Sequence, residues 1–209
     1  AATRETVGEA IGLRGDGAPV SIDIDAGDFA ALLAAPPVAG PSDVDEAEIC
    51  LMLYTSGTTG RPKGVPRSHR AERLAASHCI AQLYYRRGES TLGVMPMFHT
   101  MGVRSILMSM MLNGALVCLP SWEARAAMRL IQEEKIDTLF LVPTLFHDML
   151  HHPDRGDFDL SSVQNIGYAG MAMTSALTAL CQTEFNPRHF HNFYGSSEIF
   201  CFTVCDHVA

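Results

Sequence analysis

Apolar positions along this chain fall into short continuous runs separated by longer stretches that carry a helical stripe. The runs Ile49–Tyr54 (ICLMLY), Ser90–Met95 (STLGVM), Ala115–Leu119 (ALVCL), Thr138–Val142 (TLFLV), Val163–Ala169 (VQNIGYA) and His189–Tyr194 (HFHNFY) have the length and continuity of buried strands. Between the first two, Ala76, Cys79, Ile80, Leu83 and Tyr84 recur at i, i+3, i+4, i+7 and i+8, the apolar stripe of a helix. EARAAMRLIQEEK places Ala127, Leu130 and Ile131 on one stripe, and SALTALCQTEF repeats the pattern in a shorter form. Strands alternating with helices predict an α/β fold, a mostly parallel sheet flanked by helices. Residues 1–45 read differently: a strand PVSIDID, a helix DFAALLA, then the Pro-, Ala- and acid-rich connector AAPPVAGPSDVDEAE. They form a preamble to the α/β region of residues 46–209. The chain opens without methionine and stops in an apolar stretch, which reads as a fragment of a longer polypeptide.

Composition narrows the picture. With 209 residues, 47% of them apolar, the chain can bury a substantial core. A net charge of −8 argues against a general nucleic-acid surface, although Arg61 to Arg73 is locally basic. The apolar runs are too short to cross a membrane. Six cysteines are scattered, and Cys201 and Cys205 have no second pair to complete a zinc spacing. They read as structural thiols of a reducing, cytoplasmic compartment.

One stretch departs from this background. In YTSGTTGRPKG, Tyr54 to Gly64, seven of eleven positions are Thr, Ser or Gly. Taken as the loop between a strand and a helix capped by Ser68, it would lie beyond a strand's carboxyl end, where open α/β sheets bind ligands. Glycines admit backbone N–H groups close to phosphate oxygens, hydroxyls add donors, and Lys63 adds charge. A plain surface turn would not need that combination. The spacing is not that of a Walker A loop, which requires G-x-x-x-x-G-K-[ST].

TSGTTGRPKGV resembles the phosphate-contacting loop of the adenylate-forming superfamily, which includes acyl- and aryl-CoA ligases, luciferases and adenylation domains. PMFHTMG (Pro96–Gly102) resembles that family's aromatic-histidine segment, and NFYGSSE (Asn192–Glu198) its Y-G-x-[ST]-E motif. YAGMAM (Tyr168–Met173) is a weaker match. The likeness runs from about Asp45 to the C-terminus, and its contexts look most like aryl-CoA ligases of the benzoate and halobenzoate type. It implies the layered N-terminal domain of such an enzyme, without the small C-terminal domain that carries a catalytic lysine.

Carried over residue by residue, the resemblance assigns Thr55, Ser56, Gly57, Thr58, Thr59, Gly60 and Lys63 to the terminal phosphates of ATP. Gly170, Met171 and Ala172, with Asn192, Phe193, Tyr194, Gly195 and Ser196, surround the adenosine, and Tyr194 offers a flat ring to adenine. Ser197, where the family often has threonine, keeps the hydroxyl for the α-phosphate, and Glu198 binds Mg²⁺. His99 stands beside the reacting carboxylate, and with Lys63, Ser197 and Glu198 completes the implied catalytic set. Phe98, His99, Val103, Gly170 and Met171 border the acyl group, with Met101 and Met173 nearby. These are apolar side chains, and no acid accompanies them to take a substrate amine. Arg104, a cation in an apolar helix, is expected to snorkel to solvent or to contact a polar ring substituent. His147, His151 and His152, and the pair His189 and His191, read as structural.

The function implied is ATP-dependent ligation of an apolar, aromatic or alicyclic carboxylic acid to coenzyme A, with ATP, Mg²⁺ and CoA as cofactors. The partners expected are the small-molecule acid and CoA, with no nucleic acid or membrane. Transfer to a carrier-protein thiol and a non-catalytic nucleotide-binding module are the alternatives. The isolated 209-residue chain is expected to be inactive.

Overall fold

The computed structural model describes residues 28–36, 40, 43–56 and 61–207. The chain divides into two compact units, Ala1–Asp43 and Val44–Ala209. In the first, DFAALLA forms helix α1 (Asp28–Ala34); the expected strand PVSIDID lies outside the described residues.

The second unit begins with a hairpin, β1 (Ile49–Thr55) and β2 (Lys63–Ser68), paired antiparallel with Thr55 opposite Lys63 and Leu53 opposite Val65. This corrects the sequence expectation. The Gly- and Thr-rich stretch does not run from a parallel strand into a helix, because β2 intervenes and β1 belongs to a separate two-stranded sheet. KGVPRS hides its strand character behind Gly64 and Pro66. A two-stranded ribbon tolerates a proline, whose missing N–H can face away from the partner. Inward alternation survives at Val65 and Arg67, both buried.

Helix α2 (His69–Gln82) starts where expected: Ser68 Oγ accepts the Ala71 N–H at 3.2 Å. Its predicted stripe holds at Ala76, Cys79 and Leu83, all buried. Tyr84 leaves it, because the helix ends at Gln82 and Tyr84 takes a left-handed φ of 55° that turns its ring outward.

Strands β3 (Ser90–Gly93), β4 (Ala115–Cys118), β5 (Thr138–Leu141), β6 (Asn165–Tyr168), β7 (His189–Tyr194) and β8 (Thr203–Asp206) form a six-stranded sheet in the order β4-β3-β5-β6-β7-β8. All neighbours are parallel except β7 and β8. Helix α3 (Thr100–Met111) packs with α2 on one face, around Phe140, Phe193, Met101 and Met108. Helices α4 (Ala124–Glu133), α5 (Pro143–Leu150) and α6 (Ser175–Phe185) cover the other, around Leu139, Leu141, Ile166 and Phe190. Alternate residues of β5 therefore feed two cores, so the run reads as continuously apolar.

The chain leaves β3 for α3 on one face and β5 for α5 on the opposite face, although the two strands are neighbours. The carboxyl ends of strands that diverge in this way are the usual ligand position in such sheets. The amino ends are tied by buried polar groups instead. Glu89 accepts hydrogen bonds from Asn165 Nδ2 at 3.0 Å and Thr138 Oγ1 at 3.2 Å, and Asp137 Oδ1 accepts the Ser90 N–H at 3.1 Å.

Phe140 and Phe193 meet edge to face across Gly167, with ring centroids 5.2 Å apart. A Cβ at Gly167 would sit 2.8 Å from the Phe140 ring and 2.9 Å from Phe193. Gly167→Ala is expected to cost about 1–3 kcal/mol by overpacking, read as a lower urea midpoint at unchanged m. Burial pushes the Cys79 and Cys181 thiols up to about 12, so little thiolate forms at pH 8. Iodoacetamide is expected to alkylate exposed Cys50, Cys118 and Cys205 in the native chain, and Cys79 and Cys181 only after denaturation; mass mapping of the modified peptides checks this.

Candidate functional site

The turn after β7 carries the densest chemistry. Tyr194 ends the strand 70% exposed. Ser196 N–H donates to Ile199 O at 2.8 Å, Ile199 N–H reaches Ser196 Oγ at 3.4 Å, and Phe202 N–H returns to Tyr194 O at 2.7 Å. The backbone folds so tightly that a Cβ at Gly195 would lie 1.7 Å from the Phe200 carbonyl oxygen. Only glycine fits there without moving the turn.

Glu198 projects from this turn into solvent. Hydrogen bonding from Ser196, then from its own backbone N–H, and the nearby Lys63 charge hold its carboxyl below the ordinary value. The hairpin and the main sheet thus bring a cation and an anion to one place from opposite halves of the sequence. Thr55 and Lys63 flank the hairpin loop and Ser56 is exposed; Gly57, Thr58, Thr59 and Gly60 lie outside the described residues.

His99 caps α3 in the loop after β3, its Nδ1 accepting the Met101 N–H at 3.3 Å. In the neutral ring that bond leaves the proton on Nε2, free to donate. Phe98 beside it is 82% exposed, and Met171 and Ala172, after β6, are also exposed, while Val103 is half-buried. Gly170 turns the chain out of β6 with a φ of 88°. Asn192 is half-buried, and Phe193 is in the core with its ring edge to face with Phe140. Among the described residues no group of three His, Cys, Asp or Glu side chains could hold a metal. A lone carboxylate still suits magnesium, which commonly takes one or two protein carboxylates, with phosphate oxygens and waters completing the octahedron. Glu198, exposed at this turn, has the chemistry to take one such position.

Arg104 overturns its expectation. It is 1% exposed, neither snorkelling nor open to a substrate. Its Nη1 donates to Glu72 O at 2.8 Å, its Nη2 to Glu72 Oε2, and its guanidinium lies 5.3 Å from the Phe200 ring centroid. Arg67 Nε meets the other Glu72 oxygen at 2.6 Å, and Arg67 Nη1 donates to the Glu198 carbonyl. Glu72 lies 32 residues before Arg104, so the apolar context of the helix gave no sign of the pairing. Arg67 went unnoticed as well; its place at i+2 from buried Val65 was the available signal.

A cavity of about 540 Å³ opens beside this turn, between α2 and the β7–β8 connection. Leu74, Ala75, His78, Phe193, Ile199 and Phe200 are among its lining. None of the residues expected to border an acyl group lines it.

A doubly covered parallel sheet with this cation, carboxylate and Tyr-Gly-Ser-Ser-Glu turn at its carboxyl edge is the scaffold of a nucleotide-using, adenylate-forming domain. The chain belongs to the AMP-binding enzyme family, whose model matches residues 5–209. It is 34% identical over 171 residues to a 3-[(3aS,4S,7aS)-7a-methyl-1,5-dioxo-octahydro-1H-inden-4-yl]propanoyl:CoA ligase of Rhodococcus jostii (strain RHA1), covering 79% of this chain and 31% of the relative. It is 35% identical over 124 residues to a long-chain-fatty-acid–CoA ligase of Bacillus subtilis (strain 168), covering 57% and 22%. The inhibitor-bound N-terminal domain of FACL13 from Mycobacterium tuberculosis superposes with a TM-score of 0.79 at 26% identity, over 92% of this chain and 48% of that one. The matched regions make up 31% and 22% of these two curated relatives. Among the described residues no helix is long and apolar enough to cross a membrane.

Glu72→Ala would leave Arg67 and Arg104 facing each other without their shared acid. Breaking a buried pair in this way is expected to cost about 3–5 kcal/mol, measured by urea unfolding. A loss under about 0.5 kcal/mol, typical of surface changes, would contradict the burial.

Proposed function

We propose that the whole polypeptide is an ATP-dependent carboxylic acid–CoA ligase acting on an apolar, aromatic or alicyclic acid. One observation carries the reading: the hairpin that bears the Gly- and Thr-rich loop and Lys63 is pinned through Arg67 to the main-chain carbonyl of Glu198, in the turn at the carboxyl end of β7. A carboxylate oxygen attacks the α-phosphorus, and the bond to pyrophosphate breaks, giving an acyl-adenylate. The CoA sulfur then attacks the acyl carbon, AMP leaves, and the thiol proton goes to solvent.

Binding and positioning supply most of this catalysis. Lys63 and the loop hydroxyls hold the terminal phosphates, Ser197 the α-phosphate, and Tyr194 one face of adenine. Glu198 would hold magnesium, which when bound would supply charge neutralisation for the phosphates. His99 Nε2 donates to the acid's carboxylate and keeps the attacking oxygen aimed. For the acyl group, Phe98, Val103 and Met171 offer the apolar surface. The ring acid in the name of the Rhodococcus relative favours the alicyclic class.

Acid-dependent ATP–pyrophosphate exchange, run on the whole polypeptide with benzoate-like, alicyclic and straight-chain acids and then with CoA, tests the proposal. The expected result is exchange with ring acids and acyl-CoA once CoA is added. Glu198→Gln is expected to lower exchange by about 100-fold, the size of losing one charge-stabilising group. Exchange confined to straight-chain acids would overturn the substrate class. An acyl-adenylate transferred to a carrier thiol and not to CoA would overturn the acceptor, and ATP binding without exchange would overturn the enzyme.

A further inference from the structure

We propose that Arg67 is a positioning residue of the nucleotide site, a role that rests on the reading of Glu198 and Lys63 given above. Lys63, Val65 and Arg67 occupy alternate positions of β2 and so share one face of the hairpin. That face meets the turn after β7 twice: Lys63 acts on the Glu198 carboxylate through its charge, and Arg67 Nη1 donates to the Glu198 main-chain carbonyl. The hairpin and the main sheet share no ladder of backbone hydrogen bonds among the described residues. The distance between the phosphate loop and the metal-binding carboxylate is therefore set by side chains.

Arg67 suits that task. It is buried, and its guanidinium is held from the other side by Glu72 Oε1 at 2.6 Å. Glu72 is fixed in turn by Arg104 of α3. A planar fork satisfied on both sides aims its remaining N–H groups without further ordering. The main-chain carbonyl accepts from it, so Arg67 holds the turn without drawing on the Glu198 carboxylate. Arg67 thereby fixes where the carboxylate stands relative to Lys63 while touching neither substrate nor metal.

Arg67→Met separates this role from bulk stability, because Glu72 keeps Arg104 as a partner and no buried acid is orphaned. In the whole polypeptide the variant is expected to raise the KM for Mg·ATP by about tenfold, the scale of one lost charge-assisted hydrogen bond, with the KM for the acid unchanged. Arg67→Lys, which supplies charge but no fork, should recover only part of that loss. Hydrogen exchange gives a readout that needs no turnover. Amides of residues 195–202 should exchange about tenfold faster in Arg67→Met, while those of β5 and β6 stay as in the wild type.

An unchanged KM for Mg·ATP together with unchanged exchange at 195–202 would overturn the proposal. So would faster exchange across the whole sheet, the mark of a merely structural arginine. If the wild type shows no pyrophosphate exchange with any acid, the ligase reading fails, and the local exchange measurement still decides whether Arg67 holds the turn.

Discussion

One buried carboxylate organises the site. Glu72 stands in the first turn of α2, where an acid also meets the positive end of the helix dipole, and it is 5% exposed. Its two oxygens face arginines from different elements, Arg67 of the hairpin and Arg104 of α3. Desolvating such charges is expensive, and the pairing repays it only with good geometry. An apolar trio of the same volume could fill the space. It could not donate to the Glu198 carbonyl from one end while gripping the Glu72 carbonyl from the other. The network contributes less to net stability than to one arrangement of hairpin, two helices and the turn after β7.

The two ends of the sheet divide the remaining work. At the amino ends, Glu89, Asp137, Thr138 and Asn165 satisfy one another across β3, β5 and β6. Burial pushes the Asp137 carboxyl above its ordinary value, with the nearby Glu89 charge adding to it. At the carboxyl ends, Phe98, Met171 and Tyr194 stay exposed and the polar groups point outward. A sheet stitched at one end leaves its other end open without losing its register.

How much of this the sequence disclosed follows from the range of each interaction. The apolar run of β5 and the stripe of α2 are local patterns, and both were legible. Ser68 as a cap was equally local. The hairpin was not, because Gly64 and Pro66 make β2 look like loop. Strand β8 was passed over too: TVCD is short, and antiparallel pairing to β7 gives it order that its composition does not announce. Arg104 was misread for a related reason. A cation in an apolar helix looks the same in one dimension whether it reaches solvent or a buried acid. The turn after β7 was legible because backbone-defined turns demand particular small residues in sequence, as Gly195 does against Phe200. The cavity lining was not, since Leu74 and His78 of α2 and Phe200 of the β7–β8 connection lie far apart in sequence and carry no common motif.

That difference bears on which positions of such a domain can change. Gly195 and Gly170 sit on turns where the backbone itself is the constraint, so substitution there moves the chain. Cavity residues lie on the exposed side of α2 and along the β7–β8 connection, where side chains can change volume while the helix and ladder persist. Arg67 borders both regions: it lines the cavity and holds the Glu198 carbonyl. Pressure on Arg67 from the cavity side would therefore be felt at the turn that carries Glu198. Changes of volume at Leu74, His78 and Ile199, which line the space without entering the Glu72 network, leave that turn in place.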